Sequence, residues 1–186
     1  MLVTHTSPII SLPPAPIHFY CDVDGVLNVP RRSYTTGMKS QIIFMKLPIL
    51  GKYFTKIPLR INWQEEITDL LAGLPVNFVW LTAWNNQAAK IWEPITGIQS
   101  REVLHYNFKL REIRNHVSKY SLLKNHQQNN PSPFIWVDDI ATKQYNPADW
   151  EYHNSHLVIT PDPKYGLTIE HTEKVQEFIT QLSRKP

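Results

Sequence analysis

An α/β fold built on a mostly parallel sheet is the architecture that this 186-residue sequence predicts, and three observations predict it. Short, strongly apolar runs recur along the chain, as expected for strands covered on both faces. Segments with helical spacing alternate with those runs. The runs end abruptly in polar or acidic residues, the place where open α/β sheets build their crevices. With 42% hydrophobic and 11% aromatic residues, the chain has material for one domain with a real core and no room for a second.

The elements follow in order. Residues 1–16, "MLVTHTSPIISLPPAP", carry no Lys or Arg and are cut by prolines, so they fail as a secretory signal and read as a flexible lead-in to a single domain spanning 17–186. The first strand is 17–23 within "IHFYCDVDGVLN". Between 30 and 61, "QIIFMKLPILGKYFTKIPL" has the apolar runs and turn residues of a small hairpin or flap, with Pro48 and Pro58 confining it to edge positions. In "NWQEEITDLLAGL", Trp63, Ile67, Leu70, Leu71 and Leu74 share a helical face, Asn62 is placed to cap, and Gly73 with Pro75 marks the end. Further strands are predicted at "NFVWLT" (77–82), "EVLHYNF" (102–108), "FIWVDD" (134–139) and "HLVIT" (156–160). A last helix follows Thr168, its N-cap, with Val175, Phe178, Ile179 and Leu182 at helical spacing.

Composition excludes several classes. No apolar run approaches the roughly 20 residues needed to cross a bilayer, so no membrane association is expected. A lone cysteine, Cys21, rules out an intrachain disulfide and a cysteine-built zinc site, and the cytoplasm is the default compartment. The net charge of +3 is unevenly spread. From Gly25 to Gln64 there is no Asp or Glu, while Arg31, Arg32, Lys39, Lys46, Lys52, Lys56 and Arg60 are all positive, which leaves the rest of the chain negative. Such asymmetry can attract an anionic partner.

The acidic residues carry the chemistry. Asp22 and Asp24 end one predicted strand, Asp138 and Asp139 another, so four carboxylates converge if the two strands are neighbours. Unpaired, they would repel and some would protonate at neutral pH. A divalent cation resolves the conflict, and an oxygen-only donor set favours a hard ion, with Mg²⁺ the usual one in phosphate chemistry. Thr82 ends the strand "NFVWLT", and Lys119 lies in "VSKYSLLKN". Singly, each has an ordinary reading as a turn, cap or solvated residue. The ordered set at strand ends favours the functional one.

With "DVDGVLN", Thr82 in "VWLTAWN", Lys119 and "WVDD" in this order, the chain resembles the haloacid-dehalogenase-like (HAD) phosphohydrolase superfamily. Adding "PDPKYGLT", it looks most like the small HAD domains associated with RNA-repair proteins. The resemblance implies a Rossmannoid three-layer sandwich with a small flap or minimal cap. It implies a Mg²⁺-dependent phosphatase with Asp22 as nucleophile and Asp24 as acid and base, Asp24 also lending a backbone carbonyl to the metal. Thr82 and Lys119 would hold the phosphoryl group, and Asp138 and Asp139 would complete the metal shell, directly or through water. Where many family phosphatases have Thr or Ser after "DxDG", this chain has Val26.

Spacing narrows the substrate. Only 54 positions separate Asn28 from Thr82 and 37 separate Thr82 from Lys119, so a large cap has no room and the crevice is open enough for the end of a polymer. The basic stretch in the first interval suits a phosphorylated RNA or DNA end, with Arg31 and Arg32 as candidate contacts and Trp84 and Asn85 placed to meet a base or other leaving group. A phosphoprotein or nucleotide is the remaining alternative. Other chemistries fail on their residues. A Cx5R phosphatase needs Arg at position 27, which is Leu27, and "TTGMKS" lacks the earlier glycine of a Walker A loop, Arg32 standing there. "HNSH" (His153 to His156) has no third ligand nearby, and the lysine precedes the second aspartate pair, unlike a receiver domain. The competing class is a HAD-fold binding or scaffold domain that recognises phosphorylated nucleic acid without turnover. Retention of both Asp22 and Asp24 favours the enzyme.

Overall fold

A computed structural model describes residues 16–30, 37–49, 53–105, 118–150 and 155–184. The lead-in up to residue 15, Arg31, Arg32, Lys52, positions 106–108 of the strand predicted at 102–108 and His153 lie outside the described residues.

Five parallel strands form the central sheet, in the order β5(Ser100–Val103), β4(Asn77–Trp80), β1(His18–Cys21), β6(Phe134–Val137), β7(His156–Ile159). β1 is central, which explains why His18, Phe19, Tyr20 and Cys21 are all buried. Strand alternation divides the core in two. Phe19, Cys21, Phe78, Trp80, Ile135 and Val137 point to the side covered by α1(Glu65–Ala72), α2(Asn86–Thr96) and α5(Ile169–Ser183), through Ile67, Leu71, Trp92, Val175 and Ile179. Tyr20, Val79, Phe134 and Trp136 face α3(Lys119–Asn129), α4(Ala141–Gln144) and a short 3₁₀ turn, through Tyr120, Leu123, Ala141 and Trp150. The result is a three-layer α/β sandwich.

The excursion after β1 is an antiparallel ribbon of β2(Met38–Ile49) and β3(Tyr53–Gln64). Both of its strands are edges, which accommodates Pro48 and Pro58. One ribbon face enters the core through Ile43, Ile61 and Trp63, the last against Trp92.

Two expectations are corrected. Asn62 does not cap the first helix: β3 runs on to Gln64, the helix starts at Glu65, and Gln64 occupies the cap position without a side-chain bond. Helical spacing is degenerate with strand alternation here, because Trp63 is apolar for the ribbon's sake and not for the helix. The acidic Glu65 and Glu66 in the first turn complement the helix dipole instead. The strand predicted at 102–108 begins two residues early, at Ser100. At the other end of the chain, Thr168 caps α5 in a reciprocal box with His171. Among the described residues, no helix is long and apolar enough to cross a membrane.

Candidate active site

Strand order brings the two acidic runs together. Cys21 is in register with Trp80 on one side and Val137 on the other, so Asp22 emerges level with Asp138, and Thr82 follows one residue beyond the level of Asp22 on the other neighbouring strand. The ladder continues one step past the strands: Asp22 N–H donates to Val137 O, Leu81 N–H to Cys21 O, and Asp138 N–H to Ile159 O. The backbone therefore fixes these positions before any side chain is considered.

Oxygens of Asp22, Asp138 and Asp139 lie within 4.8 Å of one another. Lys119, the first residue of α3, places Nζ 2.5 Å from Asp22 Oδ2 and 2.9 Å from Asp138 Oδ2. Thr82 is fully buried, and its Oγ accepts the Trp84 backbone N–H at 3.3 Å. Burial pushes the Asp22 carboxyl up to about 6, an effect that Lys119 opposes and Asp138 reinforces. Burial also raises Asp138, against the pull of Lys119, and raises Asp139 with the charge of Asp22 adding to it. For Lys119, burial alone would lower the ammonium, but Asp22 and Asp138 outweigh it and the net shift is upward. Three ionised carboxylates against one ammonium leave the cluster two charges short of balance. An oxygen-only set with that deficit fits a hard divalent cation such as Mg²⁺.

Asp24 stands apart from this cluster. Its side chain is exposed, with Oδ2 accepting from the Trp84 indole N–H at 2.7 Å and Oδ1 accepting from Asn28 Nδ2 at 2.8 Å. Asn28 in turn accepts the Asn62 backbone N–H from β3 at 3.1 Å, and the Asn62 side chain donates to Val29 O. The flap root is thus hydrogen-bonded through Asn28 to the second aspartate. Two glycines make the loop possible. Gly25 has a φ of +73°, and a Cβ there would sit 2.9 Å from Asp139 Oδ2 and from Pro163. Gly166, at +69°, passes so close to the same loop that a Cβ would meet Val26 O at 2.5 Å, while Leu167 N–H donates to that carbonyl. "PDPKYGLT" is therefore a brace for "DVDGVLN".

Above the aspartates opens a crevice of about 570 Å³, walled by Asp22, Asp24, Gly25, Asn28, Arg60, Asn62, Lys119, Asp139 and Pro163 among others. Thr82 and Asp138 are buried behind that wall. Trp84 is 8% exposed and committed to Asp24, and it packs on Trp92. Asn85 carries the positive φ (+49°) of the turn after Thr82 and donates its N–H to Thr82 O. Asn28, Arg60 and Asn62 have no site role in the sequence reading. Asn28 lies inside the quoted motif and Arg60 inside the basic stretch, so position alone could have flagged the first, and only the ribbon register the other two.

A family model described as the HAD domain in Swiss Army Knife RNA repair proteins matches residues 19–172. No curated protein and no solved structure matches the chain. The match covers most of the sequence, and the chain belongs to that family.

Proposed function

We propose that this family member is a Mg²⁺-dependent phosphatase that hydrolyses phosphate monoesters through an aspartyl-phosphate on Asp22, acting on nucleic-acid ends. The observation that carries the reading is Asp22 itself: a buried carboxylate on the floor of an open crevice, 2.5 Å from Lys119 and grouped with Asp138 and Asp139. Asp22, Asp138 and Asp139 would hold the ion, with the backbone carbonyl of Asp24. When bound, Mg²⁺ supplies neutralisation of the phosphoryl oxygens.

Asp22 attacks phosphorus in line with the leaving oxygen; the O–P bond to Asp22 forms as the ester P–O bond breaks. Asp24 delivers its proton to the leaving oxygen. Lys119 and Thr82 take up the charge on the phosphoryl oxygens. Asp24, now a carboxylate, removes a proton from water, whose oxygen attacks phosphorus and releases inorganic phosphate and free Asp22. Trp84 and Asn28 act as positioning residues that hold Asp24 at the crevice edge. Support for a nucleic-acid substrate comes from the acid-free basic stretch, from Arg60 on the crevice wall, from the open access and from the family's association with RNA repair.

The test is phosphate release, with and without Mg²⁺, from 3′- and 5′-phosphorylated oligonucleotides and an aryl phosphate. Metal-dependent release that disappears in Asp22→Asn is expected. Oligonucleotide binding without release from any substrate would overturn the enzymatic reading in favour of a binding domain.

A further inference from the structure

The outer face of the flap is exposed and continuous with the crevice. Cross-strand partners share a ribbon face, and the register pairs Ser40 with Asn62, Ile42 with Arg60 and Phe44 with Pro58. Asn62 and Arg60 line the crevice, so Ile42, Phe44 and Pro58 continue the same face outward from the aspartates. Each rung is two residues from the next, about 7 Å. The opposite face, with Ile43 and Ile61, is buried in the core. Phe44 is 66% exposed and Ile42 54%, the two most exposed large apolar side chains among the described residues. A fold that buries Phe19, Phe78 and Phe134 almost completely has left this ring in water beside a cation.

We propose that this face is a nucleotide subsite: Arg60 takes the phosphodiester next to the scissile phosphate, and the base beyond it stacks on Phe44 over Pro58. The chemistry is that of single-stranded ends, because a ring can stack on Phe44 only if it has left its neighbours. Charge favours this occupant over an apolar protein segment: residues 25 to 64 contain no acid, and Arg60 has no carboxylate partner among the described residues. The subsite rests on the phosphatase reading for its scissile phosphate but not for its binding. Substrates shorter than two nucleotides cannot reach Phe44.

The experiment compares wild type, Phe44→Ala, Phe44→Tyr and Arg60→Gln on single-stranded phosphorylated hexamers of both polarities and on an aryl phosphate. In Phe44→Ala the hexamer-to-aryl-phosphate ratio of kcat/KM falls about tenfold, through KM, and Phe44→Tyr restores it. Arg60→Gln weakens hexamer binding and lowers the salt slope by about one phosphate contact, while Phe44→Ala leaves that slope alone. An unchanged ratio in Phe44→Ala, or failure of tyrosine to restore it, overturns the subsite. If wild type releases no phosphate from anything, the phosphatase reading fails separately. Hexamer anisotropy with Asp22→Asn, alone and combined with Phe44→Ala, then decides: about tenfold weaker binding in the double variant upholds the subsite, and equal binding removes it.

Discussion

One face of β1 carries two buried polar clusters, and α3 lies over both. At the strand's carboxyl end, Asp22 meets Lys119 from the start of the helix. At its amino end, Tyr20 and His18 meet His126 and Gln127 from later turns. The second cluster is closed. Tyr20 donates to His126 Nδ1 at 2.6 Å, His126 Nε2–H reaches Glu102, Gln127 donates to Tyr20 Oη, and Ser132 and Gln127 meet His18 Nδ1. Donors and acceptors match there, as buried polar networks require. The first cluster is open, with three carboxylates for one lysine, and a lysine at a helix N-terminus opposes the helix dipole. Charge left unbalanced inside a fold is costly unless something outside the chain balances it. The difference separates a closed polar cluster from one whose charge a bound cation would balance, as the proposed phosphatase requires.

Four outcomes would break or sharpen this contrast, beginning with the largest. Asp22→Asn should abolish phosphate release, by at least about 10³-fold, without lowering the melting temperature measured without Mg²⁺, since it removes a carboxylate that burial disfavours. A large loss of stability would make Asp22 structural. Trp84→Phe deletes the 2.7 Å donor to Asp24 while keeping most of the packing; kcat should fall about tenfold with KM little changed. A purely structural role would instead show as a lower melting temperature with kcat retained.

His126→Ala should do the reverse. It strips Tyr20 of its acceptor and costs about 1–3 kcal/mol, seen as a melting temperature lower by about 2–12 °C, with kcat/KM near wild type. Loss of turnover comparable to that of Trp84→Phe would erase the division between the clusters.

The smallest effect is the pH dependence of stability, where the two ends carry opposite signs. Burial lowers the His18 pKa from 6.5, so its contribution is complete above pH 6.5 and is lost as pH falls below it. Asp22 is raised from 3.8 to about 6, so its contribution is present below 3.8 and is lost as pH rises through 6. In metal-free protein, Asp22→Asn should therefore lose melting temperature more steeply than wild type between pH 6 and 4. Added Mg²⁺ should stabilise wild type at pH 7.5 and much less at pH 5. Parallel curves for the two proteins would remove the opposed signs.

Much of this was legible in the residues. The alternation of "HFYCD" is visible in sequence, and it is what sends Tyr20 to one half of the core and Phe19 with Cys21 to the other. The flap was legible as a hairpin from its prolines and apolar runs, but its register was not, and register alone puts Arg60 and Phe44 on one face. Asn62 misled because capping chemistry is local, whereas its actual partners, Val29 and Ser40, come from other segments. Trp84 was placed near the site by its position after Thr82, yet its bond to Asp24 spans 60 residues and no spacing encodes it.

The sequence by itself determined the strand–helix alternation and the acidic strand ends, because periodicity and the sudden arrival of carboxylates after an apolar run are local facts that each segment carries alone. Only the tertiary structure decided that β1 lies between β4 and β6, that α3 reaches Asp22 with Lys119, and that Gly25 is wedged against Asp139 and Pro163. Those depend on which strands pair and in what register. Pairing is selected by burial of the whole core and not by any one stretch of chain.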